Sequence, residues 1–216
     1  MALSKVNFNS LNLTPTASKT VVFNSNNNGI EAGDVGGALV LISEQTASSS
    51  STISFTSGID STYKEYLFTF NSIHAQTDQV NFQFNMSIDG GSNYNVTKTT
   101  TSFRAGNYEN DSSTAFAYLD SDDLAQSTGF KNLTENTSMG YDNDQNLGGF
   151  LHLYNPSSTS FVKHFIARTN NAHWIDVSTD GYFAGYGNTT SAVNSIQFKM
   201  SSGNIDSGQI LLFGLN

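Results

Sequence analysis

The sequence feature that most constrains the fold is the run of residues 80–88, in which apolar and polar side chains alternate without exception. Val80, Phe82, Phe84, Met86 and Ile88 occupy one set of positions, and asparagine, glutamine and serine occupy the other. Successive side chains of a β-strand point to opposite faces of its sheet, whereas a helix repeats every 3.6 residues. The run therefore predicts an antiparallel strand with one face in a core and the other in solvent.

The glycines that follow this strand predict a turn whose length depends on the register. Ile88 and Met86 share the core face with Tyr94 and Val96 only if an odd number of residues separates the two strands. A two-residue turn would place the apolar residues of the second strand on the opposite face. We therefore expect an odd-numbered loop, with Gly91 at a positive φ angle.

Similar short apolar segments recur along the chain, separated by turns rich in Gly, Asn and Ser. These turn residues form helices poorly, and the 16 Phe and nine Tyr supply material for a core. We expect about nine to eleven strands, including one at residues 174–177, in an all-β, antiparallel, jelly-roll-like β-sandwich.

Residues 104–147 are acidic and predict long surface loops with one or two short strands. Residues 210–213 are apolar without a break, so both faces of the last strand need cover, within the sandwich or from a neighbouring subunit.

The N-terminal residues 1–36 predict an extended arm, and residues 37–216 a single β-sandwich domain. The arm is polar and contains Pro15, and only Val21, Val22 and Phe23 resemble a strand. Taken alone, it cannot bury enough apolar surface to offset the entropy of ordering it. We expect it either to stay mobile or to be ordered by a partner that it anchors.

The charge balance excludes several classes of partner. Nine Lys and Arg stand against 18 Asp and Glu, which gives a net charge of −9. Binding of nucleic acid or of an anionic membrane surface needs clustered cations, so we expect neither. The N-terminus has no apolar run of the kind found in a signal peptide, and the longest apolar stretch is far too short to insert in a membrane. The absence of cysteine fits assembly in a reducing cytosol.

The motif search predicts no enzyme, no cofactor and no metal site. The chain has no nucleophile elbow and no phosphate-binding loop, and its four histidines do not stand in a metal-ligand spacing. Asp120, Asp122 and Asp123 leave open a glycosidase with paired carboxylates, although carboxylates are common in acidic loops. Residues 142–146 have the oxygen-rich rhythm of a calcium loop but lack its glycine and its final acidic residue.

Residues 87–94 resemble the Asp-box hairpin of sialidases and other β-propellers. The Ser-X-Asp-X-Gly portion is present, whereas Asn93 and Tyr94 depart from the usual Thr-Trp ending. In those families the motif is a structural turn away from the active site, and a propeller repeats it several times. A single copy supports a hairpin here and does not support a sialidase.

Trp174 is the only tryptophan and directly follows His173. An exposed indole in a loop suits a sugar platform or the anchor of an interface, while a buried core tryptophan is the alternative. His173 and Trp174 are therefore the candidate residues for contact with a glycan or a partner.

Residues 151–160 and 196–208 each join an apolar strand to a turn rich in Ser, and residues 60–63 and 89–94 form shorter turns. These segments resemble virion proteins of tailed bacteriophages, especially those of marine and cyanobacterial phages. The resemblance covers roughly residues 38–216. Its motifs are turns rather than catalytic residues, so it implies a class of protein and carries over no functional residue.

The resemblance implies a non-enzymatic structural protein on the exterior of the virion, assembled in the host cytoplasm. We expect a short tail or head fibre, with host-receptor binding as a further role. A capsid decoration protein that cements hexamers is the alternative within this class. A carbohydrate-binding module, contacting host glycans through loops near Trp174 or within residues 104–147, is the alternative of another class.

The expected partners follow from this class of protein. Virion fibres and decorations are usually symmetric homo-oligomers, often trimers. We expect the N-terminal arm to dock on a capsid protein, a neck protein or a tail adaptor.

Overall fold

The computed structural model describes residues 19–23, 30–34 and 39–215. Within this part of the chain the regular structure consists of fourteen strands and one short 3₁₀ helix, Asp120–Asp122, and no helix there is long and apolar enough to cross a membrane. The strands are β1 (Lys19–Phe23), β2 (Ile30–Asp34), β3 (Leu39–Ser50), β4 (Ile53–Phe55), β5 (Glu65–Ala75), β6 (Phe82–Ser87), β7 (Lys98–Tyr108), β8 (Thr114–Tyr118), β9 (Lys131–Asn132), β10 (Leu147–Tyr154), β11 (Lys163–His173), β12 (Val177–Gly187), β13 (Ser195–Met200) and β14 (Ile205–Leu215). The all-β prediction is confirmed. More strands form than predicted, chiefly because β7 was missed: its sequence is mostly polar and shows no alternation of apolar residues, and its residues 104–108 fell in the stretch predicted as surface loops.

The strands from β3 to β14 form two antiparallel sheets with jelly-roll topology. The larger has the order β3-β14-β5-β10-β11-β12-β7-β8, and the smaller has the order β4-β13-β6-β9. Strand β3 pairs with β14, β4 with β13, β5 with β10 and β6 with β9. Of these eight strands, the first thus pairs with the last, the second with the seventh, and so on inward. This nested pairing confirms the predicted jelly-roll-like sandwich.

Two hairpins are added to the eight jelly-roll strands. Strands β7 and β8 follow β6, and strands β11 and β12 follow β10. Both hairpins join the larger sheet beyond β10, so that this sheet has eight strands and the smaller sheet has four. The hairpin of β11 and β12 supplies two adjacent strands of eleven residues each.

Aromatic rings from both sheets meet at Phe198 of β13. Its ring is stacked on that of Phe82, with centroids 5.7 Å apart, and meets the rings of Phe68 and Phe70 of the larger sheet at 5.4 and 5.3 Å. All four rings are buried. Burying each contributes about 1.5–3 kcal/mol relative to exposure, so this cluster is a main source of adhesion between the sheets.

Strand β6 departs from its prediction, because it is buried on both faces. Phe82, Phe84 and Met86 lie in the core as predicted, but Asn85 and Ser87 on the other face are also fully buried. The Asn85 amide donates hydrogen bonds to the backbone oxygens of Tyr94 (2.6 Å) and Thr128 (3.0 Å). Loops therefore cover the face that the alternation assigned to solvent.

The turn after β6 is confirmed in part. Gly91 has φ = +88°, as predicted, and Gly90 has φ = +72°. Asp89 accepts hydrogen bonds from the Ser87 hydroxyl (2.6 Å) and the Asn93 backbone (2.9 Å), and these bonds lower the pKa of Asp89 to about 2. The predicted return strand does not form, and Ile88 is 43% exposed instead of lying in the core. One backbone hydrogen bond of the predicted pairing remains, from Val96 N to the Met86 oxygen at 3.3 Å, and Val96 is buried as predicted.

Two further predictions concern single strands. Strand β14 lies between β3 and β5, with Ile210 and Leu212 in the core, but Leu211 and Phe213 are only half-buried on the other side. The sandwich thus covers one face of this strand, and cover of the other face by a neighbouring subunit stays a prediction. Residues 174–177 were predicted as a strand, but residues 174–176 form the turn between β11 and β12.

The described part of the predicted arm is a small antiparallel hairpin. Strand β1 pairs with β2, with Val21 opposite Ala32. The chain divides after Ala38 into two units, and Leu39–Asn216 contains both layers of the sandwich. Residues 1–18, 24–29 and 35–36 of the predicted arm lie outside the described residues, so the arm and its boundary at residue 36 stay predictions.

Three lysines are fully buried, each as the first residue of a strand: Lys98, Lys131 and Lys163. Lys98 Nζ donates hydrogen bonds to the Asn85 amide oxygen (2.5 Å) and to the Val96 backbone oxygen (2.7 Å). Lys131 and Lys163 likewise donate to backbone oxygens of loops. Burial lowers the pKa of Lys98 to about 7 and that of Lys131 to about 8. The buried amines tie loops to the sheets.

The lowered pKa of Lys98 predicts a stability that rises with pH. Between about pH 7 and 10 the unfolded chain binds more protons at this lysine than the folded chain, so the free energy of unfolding increases by up to about 1.4 kcal/mol per pH unit. The replacement Lys98→Met removes this contribution to the slope, and the smaller contribution of Lys131, whose pKa is also lowered, remains. Urea unfolding across this range measures the slope, with Lys64→Met at an exposed lysine as the control. Equal slopes in all three proteins would contradict the prediction.

The two adjacent glycines of the Asp89 turn predict unequal costs of substitution. Both have positive φ, so alanine costs about 1 kcal/mol or more at either position. A Cβ at Gly91 would also lie 2.7 Å from the Tyr94 hydroxyl and 2.9 Å from Thr56 Cγ2, whereas a Cβ at Gly90 meets nothing within 4 Å. Gly91→Ala should therefore reduce the free energy of unfolding more than Gly90→Ala. Equal losses in denaturant titrations would refute the crowding at Gly91.

Candidate functional site

The surface with the most unusual composition is the outer face, defined as the side of the eight-stranded sheet that faces away from the four-stranded sheet. Strand β11 shows the division, since its residues alternate strictly between buried and exposed from Lys163 to Asn170. Phe165 and Ala167 lie in the core, whereas Ile166 is 49% exposed on the outer face. Ile166 lies in mid-strand rather than at a loop tip, so its neighbours on the adjacent strands belong to the same exposed surface.

Those neighbours form a row of cross-strand partners, which we call the apolar row. It runs through seven strands: Leu41, Phe213, Leu67, His152, Ile166, Ala184 and Thr101. Leu41 is 52% exposed, and Phe213 and Leu67 are half-buried. Cross-strand partners have Cβ atoms about 5 Å apart, so these side chains form one continuous band across the sheet.

The next row along the sheet contains a stack of planar groups, the aromatic ladder. The rings of Phe103 and Tyr182 are parallel within 6°, with centroids 4.7 Å apart, and the Arg168 guanidinium lies 4.8 Å from the Tyr182 centroid. Arg168 and Phe103 are the partners of Tyr182 on its two sides, so both faces of this ring are covered. Phe116 of β8 extends the ladder at 5.6 Å from Phe103 and is itself 76% exposed.

The charges on the outer face are paired with one another. Arg168 donates two hydrogen bonds to Asp180, from Nε at 2.9 Å and from Nη2 at 2.7 Å, and these bonds raise the pKa of Arg168. His152 Nδ1 contacts the carboxylate of Glu65. The Tyr182 hydroxyl also lies 3.3 Å from Asp180. Arg168 and Asp180 thus offset each other's charge, and Glu65 has a polar partner in His152, on a chain that carries −9.

A depression of about 350 Å³, the outer hollow, lies between the apolar row and the aromatic ladder. Ala184 and Thr101 are the small members of the apolar row and form its floor, while Ile166, Phe103 and Tyr182 stand at its sides. The hollow exists because small residues lie beside large ones on adjacent strands. Its lining is largely apolar, which suits an aliphatic or aromatic side chain.

The sequence-predicted residues His173 and Trp174 lie elsewhere, at the end of β11. Trp174 is 37% exposed in the turn to β12, and His173 is 9% exposed behind it. His173 lines a cleft of about 220 Å³ together with Arg104 and Glu135, whose Nε and Oε1 atoms are 2.6 Å apart. Burial lowers the pKa of His173 and raises that of Glu135. The structure therefore brings His173 to a polar cleft and leaves Trp174 partly exposed in the adjacent turn, while their predicted role in binding stays a prediction.

The other candidate residues are distributed over loops and strands. Asp122 accepts hydrogen bonds from the Asn132 amide (2.9 Å) and the Asn136 backbone (3.0 Å), and so holds the loop that covers β6. His152 lies opposite Ile166 in the hairpin of β10 and β11, not opposite His164. Among the residues that the structure describes, no three His, Asp or Glu side chains come together in a way that could hold a metal ion.

The comparisons with known proteins add no relative: no family model, no curated protein and no solved structure matches the chain. Sequence reasoning missed the outer face, although a signal was present. Tyr182, Ala184 and Tyr186 alternate with Phe183, so β12 carries aromatic residues on both faces. Such a strand either lies inside a core or presents one aromatic face to a partner.

The aromatic ladder predicts that Phe103 contributes to stability despite its exposure. Phe103→Ala removes the stack on Tyr182 and the contact with Phe116 and should lower the free energy of unfolding by about 1–2 kcal/mol. Phe161→Ala, at a residue 70% exposed on a loop, is the control and should change it by less than about 0.5 kcal/mol. Thermal and urea unfolding of both variants measure the difference. A loss at Phe103 no larger than at Phe161 would show that the ladder is not a stabilising unit.

Proposed function

We propose that this chain is a non-enzymatic structural protein on the exterior of a tailed-bacteriophage particle, a short tail or head fibre, assembled through its outer face. The observation that carries the proposal is the apolar row, which crosses seven strands with Leu41 and Ile166 about half exposed and with Phe213 and Leu67 half-buried between them. Extended exposed apolar surface on a folded domain marks a site of interaction. When a protein is built into a larger particle, assembly can bury such a surface and remove the free-energy cost of exposing it.

The distribution of charge supports the same function. The net charge of −9 and the many Ser, Thr and Asn residues favour solubility at the high local concentration of a particle surface. On the outer face this repulsion is reduced, because Arg168 offsets the charge of Asp180 and His152 contacts Glu65. The resemblance of residues 38–216 to virion proteins adds the class of particle.

The geometry of the aromatic ladder favours contact with protein over contact with glycan. A sugar ring stacks on an open aromatic face, but both faces of Tyr182 are covered, by Phe103 and by Arg168. The ladder therefore presents ring edges, which pack well against protein side chains. A capsid decoration protein would use the same surface, and the position of the chain on the particle separates it from a fibre.

Mass spectrometry of purified particles tests the proposal, together with antibody labelling and cryo-EM of the same particles. We expect the chain in many copies per particle, open to antibody on intact particles, with density at the tail or at a head vertex. Ile166→Lys on the outer face should reduce the amount incorporated, whereas Phe161→Lys on a loop should not. Absence of the chain from purified particles would refute the function, and density spread over the capsid shell would favour a decoration protein.

A further inference from the structure

We infer that two copies of this chain pair through their outer faces, so that Leu41 of each copy enters the outer hollow of the other. The inference names the partner of the face on which the proposed function rests, and it does not depend on the origin of the particle. Three properties of the outer face support it: its charge, its area and the order of large and small residues along the apolar row.

The charge of the face permits contact between identical copies. Two chains of −9 repel each other, so a self-contact needs a surface whose carboxylates lie near cations or hydrogen-bond donors. Asp180 is bonded to Arg168 and Glu65 contacts His152. At the β3 end of the face, Glu44 keeps its charge, since its hydrogen bond of 2.9 Å comes from the neutral Gln209 amide. Glu44 lies in the same cross-strand row as Arg168 and Tyr182, so the two-fold pairing places it opposite Tyr182 of the other copy, on the strand next to that of Arg168.

The area of the contact meets the lower limit for a specific pair. In the two-fold pairing of the apolar row, six strands of each copy overlap, from β3 to β12; at about 4.8 Å spacing they span roughly 24 Å, and four rows of side chains extend about 20 Å along the strands, which gives roughly 480 Å² in projection on each copy. Specific interfaces bury at least about 1,000 Å² in total over both partners, and side-chain relief adds to the projected value of roughly 960 Å².

The apolar row is complementary to itself. A two-fold axis parallel to the strands, placed between β5 and β10, exchanges β3 with β12 and β14 with β11. Leu41 of one copy then faces Ala184 of the other, the small residue on the floor of the outer hollow. The same axis sets Phe213 opposite Ile166 and Leu67 opposite His152, so away from the axis large apolar side chains meet the hollow or one another.

Light scattering of the purified full-length chain over a concentration series tests the pairing. We expect the mass of two copies for the wild type and for Phe161→Lys, a control at an apolar residue on a loop that is more exposed than Ile166. Ile166→Lys should give the mass of one copy at the same concentrations, with an unchanged far-UV circular dichroism spectrum. A wild type that stays monomeric, a mass of three copies, or equal loss in both variants would overturn the inference.

Disulfide formation tests the register, since the chain contains no cysteine of its own. Leu41 and Ala184 of one chain are five strand spacings apart, about 24 Å, too far for a bond within the chain. The double variant Leu41→Cys, Ala184→Cys should therefore give a covalent dimer on oxidation, whereas Leu41→Cys with Phe161→Cys should not. Failure of the first pair to cross-link would overturn the stated pairing. A monomeric chain found on particles would refute the inference alone, and a dimeric chain absent from particles would refute the proposed function alone.

Discussion

The packing of the Phe198 ring is the interaction on which the rest of the structure depends. Phe198 lies on β13 of the smaller sheet, yet its ring touches Phe68 and Phe70 of the larger sheet as well as Phe82 of its own. The nested pairing of the jelly roll brings strands together that are far apart in sequence, and closing such loops costs entropy before any contact is made. A cluster that receives rings from several strands at once compensates for this cost. The added hairpins can extend the sheet only because this centre is already stable.

On the added strands, some polar side chains face the interior and some large apolar side chains face outward. On β7 and β11 the side facing the interior carries Lys98 and Thr169, which are fully or almost fully buried, while the outer side carries Phe103 and Ile166. The buried groups are satisfied by a covering segment of loop: the Thr169 hydroxyl donates to the Leu133 backbone oxygen at 2.5 Å. Polar burial and apolar exposure are each informative, because each costs free energy unless something offsets it. Loops offset the first, and assembly through the outer face would offset the second.

Local pattern predicted much of the fold, and long-range contacts account for the rest. The alternation at Phe82 and Phe84 located a core strand, and the glycines after it fixed a positive φ at Gly91. The same alternation placed Asn85 in solvent, because a sequence pattern does not include the loop that covers it. Lys98 was beyond prediction for a similar reason: a lysine is normally exposed, and only the carbonyl groups supplied by distant loops make its burial tolerable.

The candidate site was harder to predict than the fold, because it is a property of strand order. Ile166, Ala184 and Thr101 are unremarkable in sequence, and they form the outer hollow only when β11, β12 and β7 are adjacent and in this register. A slip of one residue in any pair would turn the large side chains inward and remove the surface. Strand pairing therefore determines the outer face, and each strand by itself indicates only which of its side chains alternate. Trp174 became a candidate because it is the only tryptophan, whereas the outer face is built from common residues in an uncommon arrangement.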